Sequence, residues 1–391
     1  MLSTSKKISI SLLLLFFLQI PSLMAIFKYI HVDMAWFVPL YMTVVGIFYY
    51  VFFQKVSEPS CLKKLLGTNH TMIFLSACFF LIDIVLYHHE LSLQAIGRGT
   101  DSGPALILSG VRLLHGLFPY SKLDYLHNPI SPGPGWVILT MPFTCTGLYE
   151  LIIPLLVIVS AFTVKKITQS TLNANIYLLC LLSSPAFVQA MVTGNDYVTM
   201  GLAYCLFTVA LFYFWQKNKL CKLCFIIGVG MLATARFNFS YLAPLLGFFI
   251  WSNNKKEGLY FALGGLFVTF ALHAGFYLWD PNHYTPLHVI KDKGARVFSG
   301  FHAVVLLSTS IAAVVITLLT LKNTLKSWLF LLWLCLTTPL LILDFFSLRC
   351  SHQAIAGYDV FFIMITAPIL IMWVALDFRT YSSSQLNKQL I

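Results

Sequence analysis

His88–Gly135 reads HHELSLQAIGRGTDSGPALILSGVRLLHGLFPYSKLDYLHNPISPGPG, the longest interval of the chain without an apolar run of membrane-spanning length. Nearly everything around it is built of such runs. Three acids fall inside it, Glu90, Asp101 and Asp124, so chemistry at a membrane surface is to be sought here or opposite here.

Working outward, the 391 residues are 59% hydrophobic and only 10% charged, with a mean hydropathy of +0.83. Ordinary soluble domains carry about 25% charged residues. A helical crossing needs about 20 apolar residues, whereas a barrel strand is about ten residues long and alternates. The apolar runs here are 8–27, 34–53, 71–87, 136–162, 176–192, 197–215, 220–235, 239–251, 259–278, 298–321, 328–343 and 360–376. Their lengths predict an all-α fold, a polytopic transmembrane helix bundle of about twelve spans in one integral membrane domain, 1–391. The first run follows Lys6 and Lys7 like a signal peptide, but SLMA at Ser22–Ala25 puts Leu where a cleavage site wants a small residue, so it is read as a span. The run 136–162 contains Pro142, Glu150 and Pro154 and is expected to be a re-entrant turn plus a helix.

The formal charge of +11 does not point to nucleic acid, because the basic residues are scattered one to three at a time between apolar runs. With a cytoplasmic amino terminus and one crossing per run, sixteen of the 25 basic residues fall on inner loops and nine on outer ones. That is the asymmetry of a multi-pass protein of a bacterial inner membrane or its equivalent. Arg236 is the sensitive point. Were 220–251 one long helix, its guanidinium would lie near mid-bilayer at a cost of about 2.5–3.5 kcal/mol; a hairpin of two short helices avoids this, and the twelve-span count uses the hairpin.

This topology collects Glu90, Asp101, Asp124, the GND of Gly194–Asp196, Arg236, a second outer loop at 280–297 and LRCSHQ at Leu348–Gln353 on one face. Insertion explains Lys at inner span ends; it does not require a mixture of acids, His, Arg, Pro and Gly. Asp101 precedes a segment in which Leu106, Leu108, Val111, Leu114 and Leu117 alternate with Ser109, Arg112 and His115 at helical spacing. The pattern predicts an amphipathic interfacial helix over 103–118, with Asp101 at or beside its N-cap and Pro104 in its first turn.

Other signals are thinner. The nine cysteines imply no disulfide framework, since five sit in apolar runs and the Cys221–Cys224 pair lies in a basic loop with no second pair of zinc ligands. No metal site is expected, although His283 and His288 with Asp280 are the set that would hold a divalent cation. Asp83, Glu150, Asp344 and Asp359 lie in or beside apolar runs, where acids often serve proton-coupled transport.

Asp101, then Gly116-Leu117-Phe118-Pro119-Tyr120, then Tyr125 and ISPGPGW resemble the first outer loop of polyprenyl-phosphate-sugar-dependent glycosyltransferases of the GT-C type, especially the bacterial alpha-mannosyltransferase-like polytopic family. The likeness extends to Gly194-Asn195-Asp196 opening a helix and to the short helix ending in Arg236, covering about residues 70–260. Ser131-Pro132-Gly133-Pro134 stands in place of the usual Tyr-Pro-Pro, and Asn238 in place of a proline. The resemblance implies transfer of a mannose-like hexose from a polyprenyl-phosphate donor to a glycan or glycolipid acceptor, with membrane lipids around it and no nucleic acid.

Such a reaction needs a base near the acceptor hydroxyl and cations near the departing phosphate. Asp101 is the candidate base, with Glu90 the second choice. Arg236, His283, Lys291 and Arg296 are candidate phosphate groups, and Tyr120, Asn195 and Asp196 complete the expected substrate-binding set. One carboxylate and direct displacement would invert the anomeric centre. The alternatives are a transporter or flippase for a lipid-linked saccharide, which needs similar surfaces and no base, and a scaffolding membrane protein.

Overall fold

An apolar chain inside a bilayer must satisfy its backbone N–H and C=O groups internally, and the α-helix does so within each segment. The computed structural model describes residues 4–29, 34–236, 239–286, 300–351 and 360–378. Regular structure among them is helical, apart from one bridge between Leu123 and Pro129. In chain order the helices are α1 (Thr4–Phe27), α2 (Met34–Ser57), α3 (Cys61–Leu66), α4 (Asn69–Ala95), α5 (Ser102–Leu114), α6 (Pro134–Thr144), α7 (Ile152–Thr168) and α8 (Thr171–Leu182). They continue as α9 (Pro185–Val192), α10 (Asp196–Phe214), α11 (Lys219–Ala233), α12 (Leu242–Trp251), α13 (Lys255–Trp279), α14 (Gly300–Thr320), α15 (Leu325–Ser351) and α16 (Ala367–Asp377). Polar residues in the breaks start them: Thr68, Ser170, Asn195, Asn218 and Asn254 each accept a backbone N–H from the first turn of α4, α8, α10, α11 and α13.

Among the described residues seven helices are long and apolar enough to cross a membrane, or up to eight if the bent pair α8–α9 is one span. The chain is an all-α bundle of polytopic membrane character. α10 is its axis, with 61% of its apolar window buried, against 11% for α2 and 17% for α13. The latter two turn Trp36, Phe48, Phe267 and Phe270 outward, an apolar exposure suited to lipid rather than water.

The bend of 79° between α8 and α9 falls where Pro185 has no N–H to continue the ladder. Neighbouring helices occupy the freed groups. Gln19 donates to the Ser183 carbonyl at 3.0 Å, and Ser22 accepts from the Ala186 N–H at 3.1 Å.

Residues 220–251 form two helices, not one. Lys222 of α11 pairs with Glu257 at the start of α13 at 2.7 Å, and further along Gly230 abuts Gly265 and Val268, so α11 runs parallel to α13. Trp251, Gly247 and Ala243 of α12 lie in turn against Gly258, Ala262 and Gly265, so α12 runs back antiparallel. Arg236 stands in the turn of this hairpin. At 1.5 Å per residue the turn lies roughly 10 Å short of the far end of α13.

Two expected boundaries shift. α4 continues past Tyr87 through His88, His89 and Glu90 to Ala95. α5 ends at Leu114 rather than 118, because Gly116, at φ +68, takes the left-handed position that a side chain resists. There Leu117 N–H bonds to the Arg112 carbonyl at 2.9 Å and Gly116 N–H to Leu113 at 3.0 Å, a paired closure that stops the helix. Both ends of α6 lie on the face that carries the His88–Gly135 loop: Gly133 bonds to Ala235 at one end, and Tyr149, just after the other, bonds to the Gly194 carbonyl.

Candidate functional site

The loop face gathers the ends of α4, α11 and α13 and the starts of α5, α6, α10 and α12. Aromatic rings fasten the long loop to α13. Phe118 meets Trp279, and Tyr120 meets Tyr284 and Phe276, with centroids 5.2–6.3 Å apart. Thr285 also donates to the Ile130 carbonyl.

Asp196 opens the axial helix α10 and is fully buried. Its two carboxylate oxygens each accept from Arg236 Nη2 at 3.0 Å, across 40 residues of sequence. Arg236 Nη1 donates to Ser131, and the guanidinium lies 5.2 Å from the Tyr197 ring centre. Burial disfavours the Arg236 charge; Asp196 first, then Tyr197 and Asp101, more than restores it. Its Nε is buried and has no acceptor among the described residues.

Asp101 holds the N-cap position of α5, yet its side chain makes no cap hydrogen bond. The expected N-cap position is thus occupied by Asp101, without the side-chain bond that usually goes with it. The half-buried carboxylate turns instead to the loop, where Oδ2 accepts from Asn128 Nδ2 at 2.7 Å. Glu90 is buried on α4 and accepts the Thr100 N–H at 2.7 Å, which ties the approach to Asp101 to the end of α4. Tyr125 adds a second tie, donating to the Arg98 carbonyl at 2.9 Å. Burial, then the charges of Glu90, Asp101 and Asp124, push its phenol up to about 12.

The other expected binding residues have duties of their own. Asn195 caps α10 by accepting the Tyr197 N–H at 2.9 Å. Tyr120 is only 2% exposed and donates to the Pro132 carbonyl, so it holds the loop and offers a substrate almost no surface. His283 lies in the loop beyond α13, where it pairs with Asp280 at 2.8 Å. Lys291, Arg296 and His288 lie outside the described residues, as do Asn238 and Asp359. No group of three or more metal-ligating side chains occurs among the described residues. Asp83 is buried in α4 with no donor to either oxygen among them.

Sequence reasoning passed over Asn128 and Ser131, the polar groups that hold Asp101 and Arg236. Asn128 precedes Pro129, a turn-forming pair, and that was its only signal. The SPGPG segment brings Ser131 to Arg236 by close approach: the Gly133 N–H reaches the Ala235 carbonyl at 3.3 Å, and a Cβ on Gly133 would collide with the Thr234 backbone carbonyl. Gly133→Ala is expected to cost about 1–3 kcal/mol through this forced displacement, read as a lower thermal midpoint in detergent. An unchanged midpoint would mean that the hairpin turn can give way.

Neither a family model, a curated protein nor a solved structure matches the chain.

Proposed function

We propose that the chain is a multi-pass membrane glycosyltransferase of the GT-C type, moving a mannose-like hexose from a polyprenyl phosphate to a lipid-linked or surface glycan. Asp101 carries the reading. An acid at a helix N-cap that leaves capping unused, half-buried in a loop whose field reaches Arg236, is placed for chemistry rather than for holding its helix.

In the proposed step Asp101 takes the acceptor hydroxyl proton while that oxygen bonds to the anomeric carbon. The carbon–oxygen bond to phosphate breaks, the polyprenyl phosphate leaves with the electron pair, and the anomeric centre inverts. Arg236, oriented by Asp196, lends its positive charge to the departing phosphate. Lys291 and Arg296 are further cations for that role. Twelve spans, a cytoplasmic amino terminus, an outer-face site and α5 lying in the interface belong to the same proposal. The buried face of α5, Ala105, Leu106 and Ser109, set against exposed Leu114, supports the last.

The second reading, a transporter or flippase for a lipid-linked saccharide, is favoured by one feature, the broken helix α8–α9 held by Gln19 and Ser22. Radiolabelled hexose transfer from polyprenyl-phosphate donors, in membranes with and without the chain, separates the two. Transfer that depends on the chain supports the glycosyltransferase. Flux of the labelled lipid without any transfer sinks it in favour of the transporter.

A further inference from the structure

Asp124 is missing from the mechanism above, although it is the most enclosed acid of the loop after Glu90, at 5% exposure. Its Oδ1 accepts the backbone N–H of Leu126 at 2.8 Å and of Asn128 at 2.9 Å, and its own N–H returns to the Asn128 carbonyl at 3.0 Å. Oδ2 is buried and receives no N–H or O–H from the described residues. The acid that acts on the Asp124 side chain, by hydrogen bond and by charge, is Asp101. Asn128 spans the two acids, with its backbone on Asp124 and its amide on Asp101.

Two carboxylates in contact cannot both stay charged without a cation between them. Arg236 is committed to Asp196 and Ser131. The Arg236 charge reaches Asp101 from that position and favours ionised Asp101 over ionised Asp124, while Glu90 on α4, Asp196 on α10 and the Tyr125 phenol bring no positive charge. The arrangement favours one proton held between Asp101 and Asp124. It belongs on Asp124 Oδ2, because Asp124 is the more buried partner and the oxygen in question has no other donor.

We propose that Asp124 is a protonated carboxylic acid that donates a hydrogen bond to Asp101 and so positions that carboxylate, an inference that rests on Asp101 being the base. Asp101 is then held by two donors, the Asn128 amide and the Asp124 hydroxyl, and a proton from the acceptor can arrive on a carboxylate of fixed orientation. Burial raises the proton affinity of Asp124; the Asn128 and Leu126 N–H groups oppose this, and Asp101 adds to it through both its hydrogen bond and its charge. Once Asp124 ionises, the donor becomes a repelling neighbour.

Asp124→Asn keeps an N–H donor at every pH, whereas Asp124→Ala removes it. The wild type is expected to lose transfer activity on the alkaline side as Asp124 ionises. Asp124→Asn should hold kcat within about threefold near neutrality and lose that alkaline fall. Asp124→Ala should lower kcat about tenfold to a hundredfold, the loss of a hydrogen bond to a charged group, with little change in KM for the donor. An Asp124→Asn profile that keeps the wild-type alkaline fall, or an Asp124→Ala enzyme with wild-type kcat, overturns the proposal.

Thermal midpoints in detergent test the same bond without any transfer. A carboxyl whose folded proton affinity is raised contributes stability that is complete below its ordinary pKa of about 4 and is lost as pH rises through the folded value. The wild-type midpoint should fall across that window, and the Asp124→Asn midpoint should fall less. Equal falls in the two overturn the hydrogen bond. A fall confined to the wild type, in a chain that transfers no hexose, upholds the bond and removes Asp101 as base.

Discussion

Asp196→Ala is expected to destabilise the bundle by about 3–5 kcal/mol, the range found when one member of a buried ion pair is removed. The cost arises less from the lost attraction than from what stays behind. Arg236 would be left as a buried cation, 16% exposed at its side chain, with Ser131 as its only remaining hydrogen-bond partner among the described residues. It cannot shed its proton to relieve the penalty. The neighbouring backbone has little room to let it out, because Gly133 and Gly135 pack directly on Thr234 and Met231. Unfolding in mixed micelles with increasing denaturing detergent reads the loss.

Asp196→Ala combined with Arg236→Met should regain much of it, since an apolar pair of similar volume often replaces a buried ion pair at little cost. Arg236→Lys should fall between, because an ammonium cannot bond both oxygens of Asp196 and Ser131 from one planar fork. A single Asp196→Ala variant within about 0.5 kcal/mol of wild type, the spread of ordinary surface substitutions, would mean that water reaches the pair and that the turn is not the buried centre described above.

The helices were legible because they are written in a period and a length. The runs at 34–53, 71–87 and 197–215 became α2, α4 and α10 with ends moved by a few residues, or by eight at the end of α4. That exception is instructive. His88, His89 and Glu90 look like a polar border, and nothing local says that Thr100 will fold back to cover Glu90. Arg236 announced itself as a charge among apolar residues that needed a partner, but the partner is tertiary. Asp196 lies 40 residues away and joins it only because α10 and the α11–α12 hairpin end at one level. Asp101 was placed correctly at the N-cap, a local event, but its partner was not legible, because Asn128 reaches it through a loop closed by the Leu123–Pro129 bridge. Pairings set by such loops leave no periodic trace.

The sharper result should come from Asp101→Asn, expected to lower hexose transfer by about 10²–10⁴ in kcat, the usual contribution of a positioned base. The substitution leaves the loop bond in place and alters only the side facing Asp124, where an amide replaces a carboxylate oxygen. Asn at this position still offers an oxygen to the Asn128 amide, no cap hydrogen bond is lost, and the site is half-buried, so the thermal midpoint should move by less than about 1 kcal/mol equivalent. KM for the polyprenyl-phosphate donor should hold, since Arg236 and not Asp101 is assigned to the phosphate. Glu90→Gln is the matched control. Gln keeps an oxygen for the Thr100 N–H, and Glu90 is too enclosed, at 4% exposure, to meet an acceptor sugar directly. It should lose no more than about tenfold, through a looser approach to Asp101 rather than a missing proton acceptor. The ratio of the two effects is the measurement that matters. A large loss in Asp101→Asn alone assigns the base. Comparable losses in both would move the reacting carboxylate to the end of α4 and leave Asp101 as a support for the loop.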